Sequence, residues 1–160
     1  MRQKQPEIAL DESDIVILEE LQKDCRQTVA QIAVKAKLST SACHRRIKAL
    51  EESGLITGYV ARLSSKRLGY SIEFFVELSL ATQAEGAFEE FEREVLKIPE
   101  VLECYLVGGQ YDYLLRVIAL DAEDYERILR QSISRLPGVT RIQSVLSLRT
   151  VKPSCGLPLR

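Results

Sequence analysis

The stretch Leu38-Ser39-Thr40-Ser41-Ala42-Cys43-His44-Arg45-Arg46-Ile47-Lys48-Ala49-Leu50-Glu51 decides how the chain is read. At helical pitch Cys43, Ile47 and Leu50 fall on one apolar stripe, while Thr40, Ser41, His44, Arg45 and Lys48 gather on another. One face is built to pack and the other to reach outward. Ser39 is placed to cap this helix, because its hydroxyl can accept a bond from an unpaired N–H of the first turn. Hydroxyls at the start and cations further along suit a helix that holds phosphates and offers a fork to base edges. A solvated charged face is the plainer alternative.

The surroundings favour nucleic acid. Between Cys25 and Leu50 there is no Asp or Glu, yet the window contains Arg26, Lys35, Lys37, Arg45, Arg46 and Lys48. Such a window predicts positive potential over one face of a small helical unit.

Upstream, residues 1–10 are expected to form an arm, and a helix begins at Asp11 with Ile15, Leu18 and Leu21 as its stripe, widened by Val16 and Ile17. Its early acids Asp11, Glu12 and Asp14 suit the positive end of the helix dipole. Thr28-Val29-Ala30-Gln31 is a capping-box pattern that opens a second short helix buried through Val29, Ile32, Ala33 and Ala36. A turn at Lys37-Leu38 leads into the third helix. Residues 11–54 thus read as a helix-turn-helix, winged-helix-like domain with Thr28, Ser39, Thr40, Ser41, His44, Arg45, Arg46 and Lys48 as DNA-binding candidates.

Downstream, Gly54 can end the third helix in the left-handed conformation. Residues 55–63 alternate weakly and predict a short strand, and the whole of 55–67 reads as a strand and hinge, ending in Ser64-Ser65-Lys66-Arg67. The period then becomes two: Ile72, Phe74, Val76, Leu78 and Leu80 alternate with Glu73, Phe75, Glu77, Ser79 and Ala81. Phe88, Phe91, Val95 and Ile98 mark a helix ended by Pro99. Strands are predicted at 101–107 and 113–120 around the Gly108-Gly109 turn, and Asp121 caps a helix running through Tyr125, Ile128, Leu129 and Ile133. A last strand spans 139–148. Ile98-Pro99-Glu100-Val101 and Leu136-Pro137-Gly138-Val139 close the two helices alike. Residues 68–152 are therefore expected to form a ferredoxin-like βαββαβ domain, followed by a tail at 153–160, and the fold class is α+β.

In that fold both helices cover one sheet face. The other would carry Phe75 and Tyr105 among Glu73, Glu77, Glu103, Arg116 and Arg141. Aromatic anchors among opposite charges suit a self-complementary interface, with Phe75, Tyr105, Arg116 and Arg141 as candidates for a homodimer, although a simply solvated face is the alternative.

Composition bounds the rest. The 160 residues, 46% hydrophobic, suffice for one domain or two small ones, and the net charge of −1 conceals an asymmetry. Residues 1–67 carry 12 Lys+Arg against 9 Asp+Glu, whereas the remainder carries 10 against 14. That is the pattern of a binding unit joined to a regulatory one. Cys25, Cys43, Cys104 and Cys155 show no C-x-x-C spacing and His44 is the only histidine, which argues against zinc or any other metal. With no signal-like start and no apolar run near the ~18 residues of a membrane helix, a cytoplasmic protein with reduced thiols and no membrane partner is expected.

With these elements placed, the chain resembles the Lrp/AsnC (feast/famine) family of prokaryotic transcriptional regulators over roughly Leu10 to Lys152. The resemblance rests on 38–41 and 46–51 of the third helix, Gly54-Leu55-Ile56, Pro99-Glu100-Val101, Tyr111-Asp112-Tyr113-Leu114-Leu115 and Leu136-Pro137-Gly138-Val139. It implies dimers joined through the C-terminal domains, commonly assembled into octamers, and a small effector, often an amino acid, bound near the loop between the second and third strands. Here that loop is Val107, Gly108, Gly109, Gln110, Tyr111 and Asp112. It departs from the family pattern, since Gln110 stands where an acid is usual and Gly108 where a side chain is usual. No cofactor beyond such an effector is implied.

The expected function is a sequence-specific DNA-binding regulator tuned by an amino-acid-like effector and acting on double-stranded DNA. Alternatives are a metabolite-binding oligomeric module without DNA binding and, least favoured, an enzyme. Cys43 and His44 are adjacent on a helix and point about 100° apart, so they cannot pair as nucleophile and base. Asp112 and Asp121 have no evident acid–base partner.

Overall fold

A computed structural model describes residues 9–153 and 156–159. The arm expected at residues 1–10 therefore lies almost wholly outside the described residues, and only its last two positions are seen. The chain divides into a helical unit, formed by residues up to Arg62 together with Lys152–Arg160, and a sheet unit, Leu63–Val151.

The helical unit holds α1 (Glu12–Lys23), α2 (Val29–Lys35) and α3 (Thr40–Glu52). Each start has its side-chain cap. Asp11 caps α1 and Thr28 caps α2, both in reciprocal capping boxes, and Ser39 accepts the Ala42 N–H at the head of α3. Ile17, Leu18, Ile32, Ala33, Ala36, Cys43 and Leu50 form the buried core, so on α1 the deepest positions are Ile17 and Leu18 rather than Ile15 and Leu21. The stripe of α1 is rotated because the helix is apolar on more than half its circumference at this point, and the partner helices, not periodicity, choose the centre.

Lys37, in the α2–α3 turn, has φ +56, the only non-glycine with positive φ among the described residues. The strand expected at 55–63 does not form. Among the described residues of this unit there is no neighbouring strand to pair with it, and Tyr59, Val60 and Leu63 remain exposed.

The sheet unit contains β1 (Ile72–Leu80), α4 (Glu85–Val95), β2 (Val101–Leu106), β3 (Tyr113–Ala119), α5 (Ala122–Gln131) and β4 (Val139–Leu146). The sheet order is β2-β3-β1-β4, antiparallel throughout. This is the ferredoxin-like arrangement. α5 ends earlier than expected, with Ile133 in a separate 3-10 turn, but Ile133 is still fully buried. Phe74 stacks on Tyr125 of α5 with ring centroids 3.6 Å apart, which identifies its parity on β1 as the helix-covered face. Val76, Leu78, Leu80, Phe91, Val95, Tyr113, Leu115, Val117 and Ile128 form that layer.

Candidate nucleic-acid interface and effector loop

The geometry of α3 separates its polar residues into two groups. Thr40, Ser41, His44, Arg45 and Lys48 are exposed along one side, with Cys43 and Leu50 buried behind them. Burial pushes the Cys43 thiol above its ordinary pKa, the opposite of what a nucleophile needs. Ser39, besides capping, lies 3.2 Å from the Ser41 hydroxyl, so the two oxygens form a small polar cluster at the head of the helix. Arg45 makes no ion pair among the described residues, and Lys48 has only a loose contact with Glu52 at 3.6 Å, both side chains being well exposed.

Arg46 departs from expectation. Its guanidinium donates to Asp11 at 2.6 Å and to Asp14 at 2.8 Å, both at the start of α1. These carboxylates raise its pKa further, Asp14 contributing first. Arg46 is thus turned toward α1, about 100° from Arg45, and ties helix to helix instead of facing outward. Lys35 is also withdrawn from the basic surface, since it bonds Glu20 and, at 2.7 Å, the Gln27 side chain. Hydrogen bonds from Lys23 and then Lys35 hold the Glu20 carboxyl down at about 2. Thr28 is committed as well, because its hydroxyl serves the capping box with Gln31. The acid-free window is acid-free only along the chain. In space the start and body of α1 supply Asp11, Asp14 and Glu20, and among the described residues the cations of this window without an ion pair are Lys37 and Arg45, with Lys48 loosely held. Lys37 was not singled out from the sequence as a site residue; its position in the turn just before α3 was the available signal.

In the sheet unit the loop 107–112 is anchored at one end and open in the middle. Asp112 is buried. One carboxylate oxygen accepts the Leu80 N–H at 2.8 Å and the other accepts from the Gln83 side chain at 2.8 Å. Its backbone N–H donates to Leu78 and its carbonyl accepts from Val107. The carboxylate is therefore engaged within the chain and braces the end of the loop. Gly108, Gly109 and Gln110 are exposed, Val107 and Tyr111 half-buried. Neither glycine has positive φ, and a Cβ at either would meet nothing within the chain. Their smallness is thus not demanded by the single chain.

The uncovered sheet face carries Phe75 opposite Arg116 on β3 and Val145 on β4. Phe75 and Tyr105 are 36% and 52% exposed, and Val145, absent from the sequence-based set, is 44% exposed. Arg116 bridges Glu73 at 3.3 Å and Glu103 at 2.5 Å, and Glu103 also accepts from the Tyr105 hydroxyl. Its charge is balanced inside the face. Arg141 is exposed and makes a 3.4 Å contact to the Gln143 side chain. Among the described residues no group of three His, Cys, Asp or Glu gathers to hold a metal, and no helix is long and apolar enough to cross a membrane.

Comparison with known proteins gives the same two parts. The family model for a winged helix-turn-helix DNA-binding domain matches residues 10–57, and that for the Lrp/AsnC ligand binding domain matches residues 73–157. The chain is 39% identical over 143 residues to the proline dehydrogenase transcriptional activator of Rhizobium radiobacter, covering 89% of this chain and 92% of that one. It is 38% identical over 157 residues to the leucine-responsive regulatory protein of Escherichia coli, covering 98% and 96%. Among solved structures, a Neisseria meningitidis transcriptional regulator in complex with L-Met superposes with a TM-score of 0.89 at 34% identity, covering 94% of this chain and 97% of that one. A feast or famine regulatory protein from M. tuberculosis, complexed with L-methionine, gives 0.85 at 30%, covering 93% and 99%. The matches run through both units in order, and the chain belongs to the Lrp/AsnC family of DNA-binding transcriptional regulators.

Proposed function

We propose that α3 reads DNA through Arg45, with Thr40, Ser41, His44, Lys48 and Lys37 placing the helix on phosphates, and that the loop 107–112 takes an amino-acid-like ligand that tunes this binding. The observation that carries the reading is the exposed row on a capped helix whose other arginine is pinned to α1, because a fixed helix can aim a forked guanidinium at guanine. The chain has no Asn for the matching adenine contact. Dimers formed through the Phe75, Tyr105, Arg116 and Arg141 face, assembling further to octamers, would present paired helices to half-sites of cytoplasmic DNA. Exposed aromatic rings around balanced charges support that face.

Relatives crystallised with L-methionine support an amino-acid ligand. The exposed backbone at Gly108 and Gly109 can approach a carboxylate, while Gln110 offers an ammonium group only a neutral dipole. The test is a footprint and salt titration on promoter DNA with L-methionine titrated by calorimetry. Arg45→Ala should cost ~1–3 kcal/mol and relax preference at one base position, while Lys48→Ala weakens all sequences alike and lowers the salt slope. Gln110→Glu should tighten L-methionine binding. Unchanged specificity in Arg45→Ala sinks the base contact, and loss of native ligand binding in Gln110→Glu would show that the amide is itself the selecting contact.

A further inference from the structure

The chain passes between its two units twice, after Arg62 and again after Val151, because the last residues rejoin the helical unit. They are seated there by a specific contact. The Gln22 side chain, near the end of α1, accepts the Leu157 N–H through Oε1 at 2.5 Å and donates through Nε2 to the Leu157 carbonyl at 3.2 Å. Leu159 packs against the core of the helical unit. Gly156 has φ +96, and a Cβ there would stand 2.2 Å from Gln22 Oε1 and 2.8 Å from Gln22 Cδ. Only glycine lets the tail lie this close while Gln22 keeps both bonds. Leu157 is 78% exposed, so its side chain takes no part and the contact reads backbone. The groove that the tail borders is lined by Leu21, Cys25, Leu55, Ile56 and Tyr59, and Tyr59 in turn donates to Glu51 of α3 at 2.9 Å.

We propose that residues 156–159 are a clasp for α1, and that the clasp positions the DNA-reading helix. α1 is held at both ends. Its last turn is gripped by the tail through Gln22, and its first turn grips α3 through Asp11, Asp14 and Arg46. The returning end of the chain is secured to α1 by this exchangeable pair of hydrogen bonds. Releasing that pair frees the end of α1 and the segment that carries Tyr59, and so loosens the frame on which α3 is mounted. Gln22, Gly156 and Leu159 are positioning residues in this scheme and touch no DNA. The effect on DNA rests on the function proposed above; the docking itself does not.

The experiment uses the full-length protein with Gln22→Ala and Gly156→Ala, which break the same contact from opposite sides. Hydrogen exchange at the Leu157 amide should speed up roughly tenfold in each, as loss of two exposed hydrogen bonds would give. Affinity for promoter DNA should fall several-fold in each. The double variant should be no worse than either single one, since one contact cannot be lost twice. A Leu157 amide that exchanges in the native protein at the rate of an open chain overturns the clasp. Variants that lose protection yet bind within twofold of native, in an assay where Arg45→Ala relaxes preference at one base position, overturn the positioning role alone. If Arg45→Ala and both tail variants all leave binding unchanged, the DNA reading fails and the clasp is judged on exchange alone.

Discussion

In α3, Arg45 and Arg46 are sequence neighbours with opposite duties: one is open to solvent and the other is locked to two carboxylates of α1. In the loop 107–112, Gln110 and Asp112 divide in the same manner, the first exposed and the second buried and bonded to Leu80 and Gln83. The devices differ. A helix separates adjacent residues by rotation alone, so the division in α3 follows from pitch once one side faces α1. A loop has no such rule, and the division there depends on a backbone N–H that β1 leaves for Asp112 to occupy. The helix site should therefore tolerate loss of its anchor better than the loop.

The largest effect expected is for Asp112→Ala, which leaves the buried Leu80 N–H without its acceptor and releases Gln83. An unsatisfied buried donor costs about 1–3 kcal/mol, and denaturant unfolding should place this variant at the upper end. A loss under half a kcal/mol, on the order of a surface change, would mean that the loop is not held by this strut. Arg46→Ala should cost less, because its partners range from a mostly covered Asp14 to an exposed Asp11 and water can compensate in part. Paired with Arg45→Ala, it sharpens the contrast within α3. The first should lower the melting temperature, whereas the second should lower DNA affinity at unchanged stability. Equal loss of specific contacts in both would erase the distinction.

Acid should loosen the helical unit in a defined window. Glu20 ionises near 2 in the folded chain against 4.5 unfolded, so its contribution is fully present above 4.5 and is lost as pH falls from there toward 2. Glu20→Gln should flatten that part of the stability profile, and a parallel profile would exclude Glu20 as its source. The effect is modest because Lys23 and Lys35 are about half or more exposed. Smallest, and of opposite sign, is Lys37→Gly. Lys37 holds φ +56, which disfavours a residue with a Cβ, and relieving it should stabilise the fold by about 1 kcal/mol at most while removing one cation from the DNA side. Lower stability in that variant would show that the lysine side chain, not the backbone, matters at the turn.

The caps, the apolar stripe of α3, the period-two run of β1 and the repeated helix exits were all legible along the chain, because each is a relation among residues within a few positions of one another. Thr28, Ser39 and Asp121 cap where their spacing said they would, while Asp11, read along the chain as an acid of the first turn, is itself the cap of α1. So the two folds and the outward row from Thr40 to Lys48 were determined by the sequence itself. What it left undecided were relations across distance. The basic window held six cations, and only the packing of α1 against α2 and α3 withdrew Arg46 and Lys35 from it. The segment 55–63 alternates like a strand, but strand structure belongs to a pair, and among the described residues no partner strand stands beside it. Asp112 could be read along the chain as a turn-fixing residue beside a ligand loop, but the N–H it would hold, that of Leu80 on β1, was brought to it only by the fold. The tail, which ends far in sequence from Gln22, found its place only through the tertiary fold. Local hydrogen bonds and periodicity are written in short-range order. Charge neutralisation and pairing are decided by which elements meet.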